Sequence, residues 1–314
     1  MSSFLWITWF FSSHSSHALK RIPVVLLCLG LMTLHAQESD PQQKDPVGGL
    51  WSYSGKANLL FNQVAFSQWA SGGVNNVSLG FTVDYEVHYK ENGWSWDTKS
   101  TGSYGLSYIE GDKFLKKTND RLEINSLLGK EFSDTWSYST ILNFKSQIAR
   151  GYRFGTDEEG EETRSLRTHF FSPAYLQFGV GLYWKKSADL WVNIAPFTQR
   201  ITFVSRQFTQ DLADDKAYFG VSKGDNHLFE LGASVSGFYK FEALENVFIE
   251  NRLALYTDYL GEPENIDFDY SLTATMKVNS FISTQLEVQL VYDDNAVQAL
   301  QSREVFGVGV SLTL

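Results

Sequence analysis

Cysteine, methionine and proline are all scarce in this sequence. Its 314 residues contain one cysteine, three methionines and six prolines. The cysteine, Cys28, lies in an apolar stretch near the N-terminus, so a chain that loses this stretch has neither disulfides nor thiolate metal sites to stabilise it. Against these low counts stand 24 phenylalanines, 15 tyrosines and 9 tryptophans. Many aromatic and β-branched runs with few helix-favouring blocks predict an all-β protein.

Long hydrophobic runs are also few. One apolar run, residues 22–34, follows Lys20 and Arg21 and ends in Leu34-His35-Ala36, a small-residue cleavage pattern. The run is too short for a lasting transmembrane helix, which needs about 20 apolar residues. We therefore expect residues 1–36 to be a signal peptide cleaved before Gln37. Residues 37–50 are then a polar periplasmic linker, and residues 51–314 form the folded protein.

Basic residues are in deficit as well. Without Lys20 and Arg21, 24 basic residues face 36 acidic ones, which leaves a net formal charge of −12. This balance argues against binding to nucleic acid or to an anionic surface. The mature chain has no long apolar helical span, but this observation does not exclude a membrane, because barrels cross bilayers with short alternating strands.

Alternation of apolar and polar residues is the dominant pattern after residue 50. In residues 266–279 every second residue is apolar, from Ile266 to Val278, and the residues between them are polar. Residues 77–89 show the same alternation. Twelve strands are predicted in all, at residues 54–66, 74–90, 94–108, 120–132, 135–149, 173–185, 190–205, 228–241, 246–259, 266–278, 281–293 and 304–314.

The connections between the predicted strands alternate between long and short. Short turns follow the even-numbered strands, and long segments follow the odd ones, at 67–73, 109–119, 150–172, 206–227, 260–265 and 294–303. Barrels of the bacterial outer membrane have this arrangement, with long outer loops and short periplasmic turns. Five tryptophans lie near the short turns, where an interfacial aromatic belt is expected: Trp94, Trp96, Trp136, Trp184 and Trp191.

Two architectures fit alternating strands, a soluble β-sandwich and a transmembrane barrel. The strands here are long, they form an even and uninterrupted hairpin series, and their apolar phase carries almost no charge near its middle. Lipid tails can cover such an apolar face, and closure of the sheet gives every backbone N–H and C=O group a hydrogen-bond partner. We therefore predict an all-β fold, a transmembrane up-and-down antiparallel β-barrel of about twelve strands with both termini in the periplasm. Its apolar last strand resembles the signal read by barrel-insertion machinery, although it ends in Leu314 rather than an aromatic residue.

Several segments of the chain resemble a known family. The longest is LLFNQVAFSQWASGGVN at 59–75; the others are TNDRLEINS at 118–126, NFK at 143–145, SPAYL at 172–176, ENV at 245–247, NID at 265–267 and YDD at 292–294. Together they extend over almost the entire mature chain and resemble the uncharacterised bacterial domain-of-unknown-function family 3078. The resemblance implies a barrel-like envelope protein. Because that family has no assigned reaction or ligand, it supplies no functional residues.

Charged side chains on the polar phase are predicted to line the lumen: Asp84, Glu86, Arg121, Glu123, Lys145, Glu230, Glu250, Arg252, Asp267, Asp269, Lys277 and Glu287. Twelve strands lie between the about eight whose interior is filled by side chains and the about sixteen that leave an aqueous channel. Two interpretations therefore stay open, a narrow pore lined by charge and an ion-pair network that closes and stiffens the barrel. In a pore, the carboxylates of Asp84, Glu86, Asp267 and Asp269 predict cation selectivity.

Enzymatic and metal-binding roles find little support. Outer-membrane hydrolases need a histidine near the outer rim beside serine, asparagine or aspartate. Of the three mature histidines, His88 is predicted near a short turn at the opposite end, and His169 and His227 lie in or beside long loops. The acidic loop runs at 157–162 and 211–215 match no calcium-loop spacing. We expect no catalytic residue, no cofactor and no metal.

These observations predict a barrel in the outer membrane of a Gram-negative envelope, acting as a porin-like passive channel or transport component for a small hydrophilic solute. The first alternative is a non-conducting envelope barrel with a structural or partner-binding role through its long outer loops; the second is an outer-membrane hydrolase. Expected partners are outer-membrane lipid, lipopolysaccharide and, during assembly, the barrel-insertion machinery, with no nucleic acid.

Overall fold

The computed structural model describes residues 50–67, 73–261 and 263–313. The predicted signal peptide at 1–36, the predicted mature start at Gln37, the linker up to residue 49 and the terminal Leu314 lie outside the described residues. Within the described ranges, no helix is long and apolar enough to cross a membrane.

The described ranges form sixteen strands, and twelve of these close into one antiparallel barrel. In chain order the strands are β1 (Trp51–Val64), β2 (Asn76–Glu91), β3 (Trp94–Ile109), β4 (Lys116–Glu131), β5 (Trp136–Ser146), β6 (Gly151–Thr156), β7 (Glu162–Thr168), β8 (Ala174–Ser187), β9 (Leu190–Phe203), β10 (Ala217–Tyr218), β11 (Val221–Ser222), β12 (His227–Leu244), β13 (Val247–Asp258), β14 (Asp267–Lys277), β15 (Ile282–Asp293) and β16 (Val297–Thr313). The barrel contains β1 to β5, β8, β9 and β12 to β16, and β1 pairs with β16 to close it. The predicted fold is confirmed.

The predicted boundary of the last strand is wrong. We expected a long loop at 294–303 and a strand from residue 304, but β16 begins at Val297 and a short turn joins it to β15. The Asp293 carboxylate accepts hydrogen bonds from the backbone N–H groups of Asn295 and Ala296, at 3.0 and 3.2 Å, and so stabilises this turn. An irregularity in the β15–β16 pairing next to the turn interrupts the alternation from which strands were predicted.

Large apolar side chains cover the outside of the barrel. Leu79, Phe81, Phe306 and Val308 are each about half exposed, because their phase of the strands faces away from the lumen. The most deeply buried side chains are mostly polar and include Glu230, Asn193, Thr198 and Ser103. The barrel is therefore apolar outside and polar inside, as expected for a sheet whose outer face contacts lipid.

Tryptophans on β1, β3, β5 and β8 form part of a belt at the end of the barrel that carries the short turns. Trp94 and Trp96 are each 45% exposed there, and Trp51 lies against Tyr89 and Trp96. Trp191 was predicted in this belt, but it points into the lumen and its ring lies between Tyr183 and Phe238, at 5.8 and 5.9 Å.

The long loops contain ordered structure that was not predicted from the sequence. Between β5 and β8, strands β6 and β7 form a hairpin, and between β9 and β12 a short 3-10 turn (Arg206–Phe208) precedes the β10–β11 hairpin. The Phe208 ring stacks on Tyr218, whose hydroxyl donates a hydrogen bond to the Arg167 carbonyl at 2.7 Å. Burial raises the pKa of the Tyr218 phenol.

The loop between β9 and β12 extends inward over the mouth of the barrel. Thr209 and Val221 in this loop have no exposed surface. At Gly220, which has a φ of +76°, an added Cβ would meet Leu228 and Asn295 within about 3 Å. Since Asn295 lies in the β15–β16 turn, this loop reaches strands on another side of the barrel.

Candidate functional site in the barrel lumen

An ion pair crosses the lumen near its outer-loop end. Lys145 Nζ on β5 lies 2.6 Å from Asp269 Oδ2 on β14. Four barrel strands separate β5 from β14 on one side and six on the other, so the two residues lie on nearly opposite walls of the barrel. Gln289 on β15 donates a second hydrogen bond to Asp269 at 2.8 Å. We call the contact of Lys145 with Asp269 the lumen bridge.

The lumen bridge also identifies the inner face of the barrel. Residues directly paired in antiparallel strands share a face, and from Lys145 the pairing runs through Glu123, Thr101, Asp84 and Lys56 to Thr313 on β16. In the other direction it passes through Tyr175 and Thr202 to Leu228, two residues from Glu230. By this register, all twelve residues predicted to line the lumen share the face of the lumen bridge.

One side of the outer lumen is filled by a buried charge network. Arg200 on β9 donates two hydrogen bonds to Glu230 on β12, at 2.8 and 2.5 Å, and a third to Asp267 on β14 at 2.7 Å. The Arg200 guanidinium also lies 4.0 Å above the Tyr256 ring. The Arg200 and Glu230 side chains are only 8% and 2% exposed. We call Arg200, Glu230, Asp267 and Tyr256 the Arg200 network.

The β15–β16 turn contributes two further hydrogen bonds to this network from the outer-loop end of the barrel. Asn295 Nδ2 donates to Glu230 at 3.2 Å, and the backbone N–H of Asp294 donates to Asp267 at 3.1 Å. Every carboxylate of the network therefore has a donor besides Arg200, which is what a buried charge requires.

The other side of the outer lumen contains an open cavity of about 320 Å³. Its lining comes from β4, β5 and β8 on one wall and from β15 and β16 on the facing wall: Lys117, Thr118, Asn119, Asp120, Arg121, Lys145, Ser146, Gln147, Pro173, Tyr175, Gln289 and Arg303. Four of these side chains are cationic and one is a carboxylate. We call this space the cationic cavity.

A third group of charges lies on the wall formed by β2 and β3. Lys99 Nζ is 2.8 Å from Glu86, Thr101 donates to Asp84 at 2.6 Å, and His88 lies 2.8 Å from Asp97 and 3.6 Å from Glu86. All of these contacts join residues on the same strand or on adjacent strands, so this group stays against the wall.

Aromatic rings and cations occupy the lumen at the short-turn end. Arg252 lies 4.4 Å from the Phe238 ring centroid, and Lys277 lies 4.6 Å from that of Phe248. Glu250 pairs with Lys240 on β12 at 3.3 Å and lies 3.9 Å from Arg252 on its own strand.

The four carboxylates predicted to favour cations do not form one cluster. Asp84 and Glu86 belong to the β2–β3 wall, whereas Asp267 contacts Arg200 and Asp269 contacts Lys145. The predicted lumen charges also differ in whether they pair across strands or within one. Glu250 pairs across strands, but Arg121 and Glu123 contact each other at 3.8 Å on β4.

Two central residues were missing from the predicted set, Arg200 and Arg303. On β9, a bulge at Pro196 opposes two residues to one on each neighbouring strand, which reverses the alternation before Arg200. The proline itself was the available signal, because proline within a sheet favours bulges. Arg303 was missed because residues 294–303 were assigned to a loop; it lies on β16 with Nη2 3.4 Å from Glu287.

The three histidines of the described structure have different surroundings. His88 is in the β2–β3 wall, His169 packs against Phe208 with Nδ1 2.7 Å from the Phe170 carbonyl, and His227 contacts the Asn226 side chain. Among the described residues, no group of three or more His, Cys, Asp or Glu side chains is placed to hold a metal ion.

Comparison with known families gives one match. The model of the family described as protein of unknown function (DUF3078) matches residues 61–152. The predicted family resemblance is confirmed over this range. It includes the segments at 118–126 and 143–145 and most of the segment at 59–75; the four later segments lie beyond the match. No curated protein is matched by the sequence.

Solved structures with a similar arrangement are bacterial barrels. An outer membrane channel from Pseudomonas putida F1 aligns with a TM-score of 0.38 and 10% identity, over 88% of this chain and 99% of that one. The translocator domain of the autotransporter NalP from Neisseria meningitidis gives 0.36 and 11%, over 85% and 89%. The NanC porin gives 0.36 and 11%, over 83% and 100%. These scores are too low to support a fold assignment, so the fold is assigned from the strand register of this chain alone.

Proposed function

We propose that this protein is an outer-membrane channel of narrow bore that admits a small hydrophilic solute. The observation that carries the proposal is the cationic cavity, a space of about 320 Å³ in the outer lumen that is bounded by charged side chains. A barrel whose interior served only for stability would fill this space with packed or paired side chains.

The surface of the barrel supports the outer-membrane location and the orientation. Its outer face is apolar, and aromatic residues surround the end with the short turns. In outer-membrane barrels the short turns face the periplasm and the long loops face outward. We therefore place the start of β1 and the end of β16 on the periplasmic side, because both lie at the short-turn end.

The lumen bridge is the constriction in this proposal. The Lys145 and Asp269 side chains are 37% and 28% exposed, so their pairing takes place in contact with solvent. The pair is more exposed than the almost fully buried Arg200 network, so we propose that the lumen widens here.

Single-channel conductance in a planar bilayer tests the proposal. The refolded protein from residue 37 onward is compared with a Lys145→Ala/Asp269→Ala double variant. We expect steady openings from the parent protein and a larger conductance from the variant, because the constriction is removed. A matched control, Lys113→Ala/Glu161→Ala, removes an exposed ion pair of 3.9 Å between the β3–β4 loop and the β6–β7 hairpin and should leave the conductance unchanged.

A non-conducting envelope barrel is the second candidate. The Arg200 network and the loop that covers part of the mouth favour it, because both restrict the lumen. Silence from the parent protein and from the double variant, with both inserted and showing heat-modifiable mobility in gels, would replace the channel with this alternative. The partner-binding surface would then be sought on the outer loops. We propose no catalytic activity in either case.

A further inference from the structure

We propose that the cationic cavity binds a small multivalent anion that carries carboxylate or phosphate groups. The inference deepens the proposed channel function, because it names the class of solute. It can be tested apart from that function, because binding is measurable in a barrel that does not conduct.

Unbalanced charge at the cavity surface is the first observation. Lys117, Arg121, Lys145 and Arg303 line the cavity, and Asp120 is the one carboxylate among the residues that line it. Asp120 is already engaged, since it accepts hydrogen bonds from Lys117 at 2.5 Å and from the backbone N–H groups of Ile148 and Ala149. Asp120 thereby holds Lys117, and Asp269 holds Lys145. The cavity cations with only long carboxylate contacts are Arg121, 3.8 Å from Glu123, and Arg303, 3.4 Å from Glu287.

Unused hydrogen-bond donors are the second observation. Arg121 makes no hydrogen bond to any described residue, and its only ion pair is the 3.8 Å contact with Glu123. Its Nε is buried without a partner, and the same holds for Nη1 of Arg303. Arg303 contacts Glu287 only through Nη2, at 3.4 Å to both carboxylate oxygens, which is long for a charge-assisted bond. Two guanidinium groups on facing walls thus keep donors for which the described protein offers no acceptor.

The acidic residues near the cavity are bound to cations or lie on the other side of the outer lumen. Asp269 accepts from Lys145 and Gln289, so Lys145 and Asp269 offset each other. Asp267 and Glu230 share Arg200 on the opposite side. The proposed anion recognition therefore rests on Arg121 and Arg303, and it takes the place of the cation selectivity expected from the sequence.

The dimensions and the remaining lining suit a small molecule. A volume of about 320 Å³ is at the lower end of the range for small-ligand pockets, about 300–1,000 Å³. Tyr175 and Gln289 add a hydroxyl and an amide to the lining, and such neutral groups orient a ligand that guanidinium groups hold. Arginine pairs with carboxylate and phosphate in the same forked geometry, so the site alone predicts both groups.

Calorimetric titration of the refolded protein with inorganic phosphate and, separately, with citrate tests the inference. Glucose serves as the neutral probe. We expect saturable binding of at least one anion and none of glucose, and the preferred anion tells phosphate from carboxylate recognition. An Arg121→Gln/Arg303→Gln double variant should bind about tenfold more weakly or worse, because it loses two charge-assisted contacts.

The matched control is Arg252→Gln, which removes a lumen arginine that does not line the cavity. Its affinity should equal that of the parent protein. Heat-modifiable mobility in gels verifies that each variant is folded. If the double variant does not fold, Arg121→Gln alone is used, because Arg121 makes no hydrogen bond that its loss would break.

Each outcome separates this inference from the channel proposal. Anion binding in a barrel without conductance keeps the inference and removes the channel. Conductance without anion binding keeps the channel and overturns the inference. Binding that is equal in the parent protein and the Arg121 and Arg303 variants, or that Arg252→Gln weakens to the same extent, also overturns it.

Discussion

Each side of the outer lumen carries an arginine, but the two arginines differ in burial and in hydrogen bonding. On one side, Arg200 is 8% exposed and makes three hydrogen bonds to two carboxylates. On the other, Arg121 is 33% exposed and makes none to the described residues. A guanidinium that is almost fully buried must be paired to offset its desolvation, whereas Arg121 keeps a third of its side chain exposed at the cavity. The difference therefore separates a structural arginine from one available to a ligand.

Loss of the arginine on each side is the strongest test of this comparison. Arg200→Met leaves Glu230 and Asp267 buried without their cation, so we expect the free energy of unfolding to fall by about 3–5 kcal/mol. Arg121→Met should change it by about 0.5 kcal/mol or less, because no hydrogen bond is lost. Urea titration in lipid vesicles, followed by tryptophan fluorescence, measures both. Equal losses for the two variants would contradict the comparison.

Backbone packing around the Arg200 network gives a second, smaller effect. A Cβ at Gly232 would lie 1.7 Å from the Thr257 carbonyl oxygen, whereas one at Gly102 would meet nothing within 4 Å. We expect Gly232→Ala to lower the free energy of unfolding by about 1–3 kcal/mol through overpacking. Gly102→Ala is the control and should be close to neutral. If the two alanine variants unfold at the same urea concentration, the close approach of the Thr257 carbonyl to Gly232 does not exclude a larger side chain at that position.

The loop that covers the Arg200 side gives the smallest effect on stability. Tyr218→Ala removes the ring that stacks on Phe208 and the hydrogen bond to Arg167. We expect faster protease cleavage within residues 204–226, with a change of about 0.5 kcal/mol or less in barrel unfolding. Tyr152→Ala, in the β6–β7 hairpin, is the control and should leave cleavage at 204–226 unchanged. Cleavage as slow as in the parent protein would show that Tyr218 does not hold this loop.

Regular alternation made most of the barrel predictable, and interruptions of it account for the errors. Strand β14 was predicted to within a residue at each end because its alternation has no break. The bulge at Pro196 concealed Arg200, and the irregular start of β16 concealed Arg303. Trp191 was placed outside because closeness to a turn does not say which face a side chain occupies; the register with Phe238 decides that.

By itself, the sequence determined that this chain forms a barrel and which phase of most strands faces inward. Both follow from local patterns, because each strand must present one face to lipid and the other to the lumen. Only the tertiary structure decided which charges meet. Lys145 and Asp269 are 124 residues apart on strands that are not neighbours, and their contact depends on the closed ring. The alternation along a strand carries no information about distances across a lumen, and those distances made Arg200 a buried partner and left Arg121 at an open cavity.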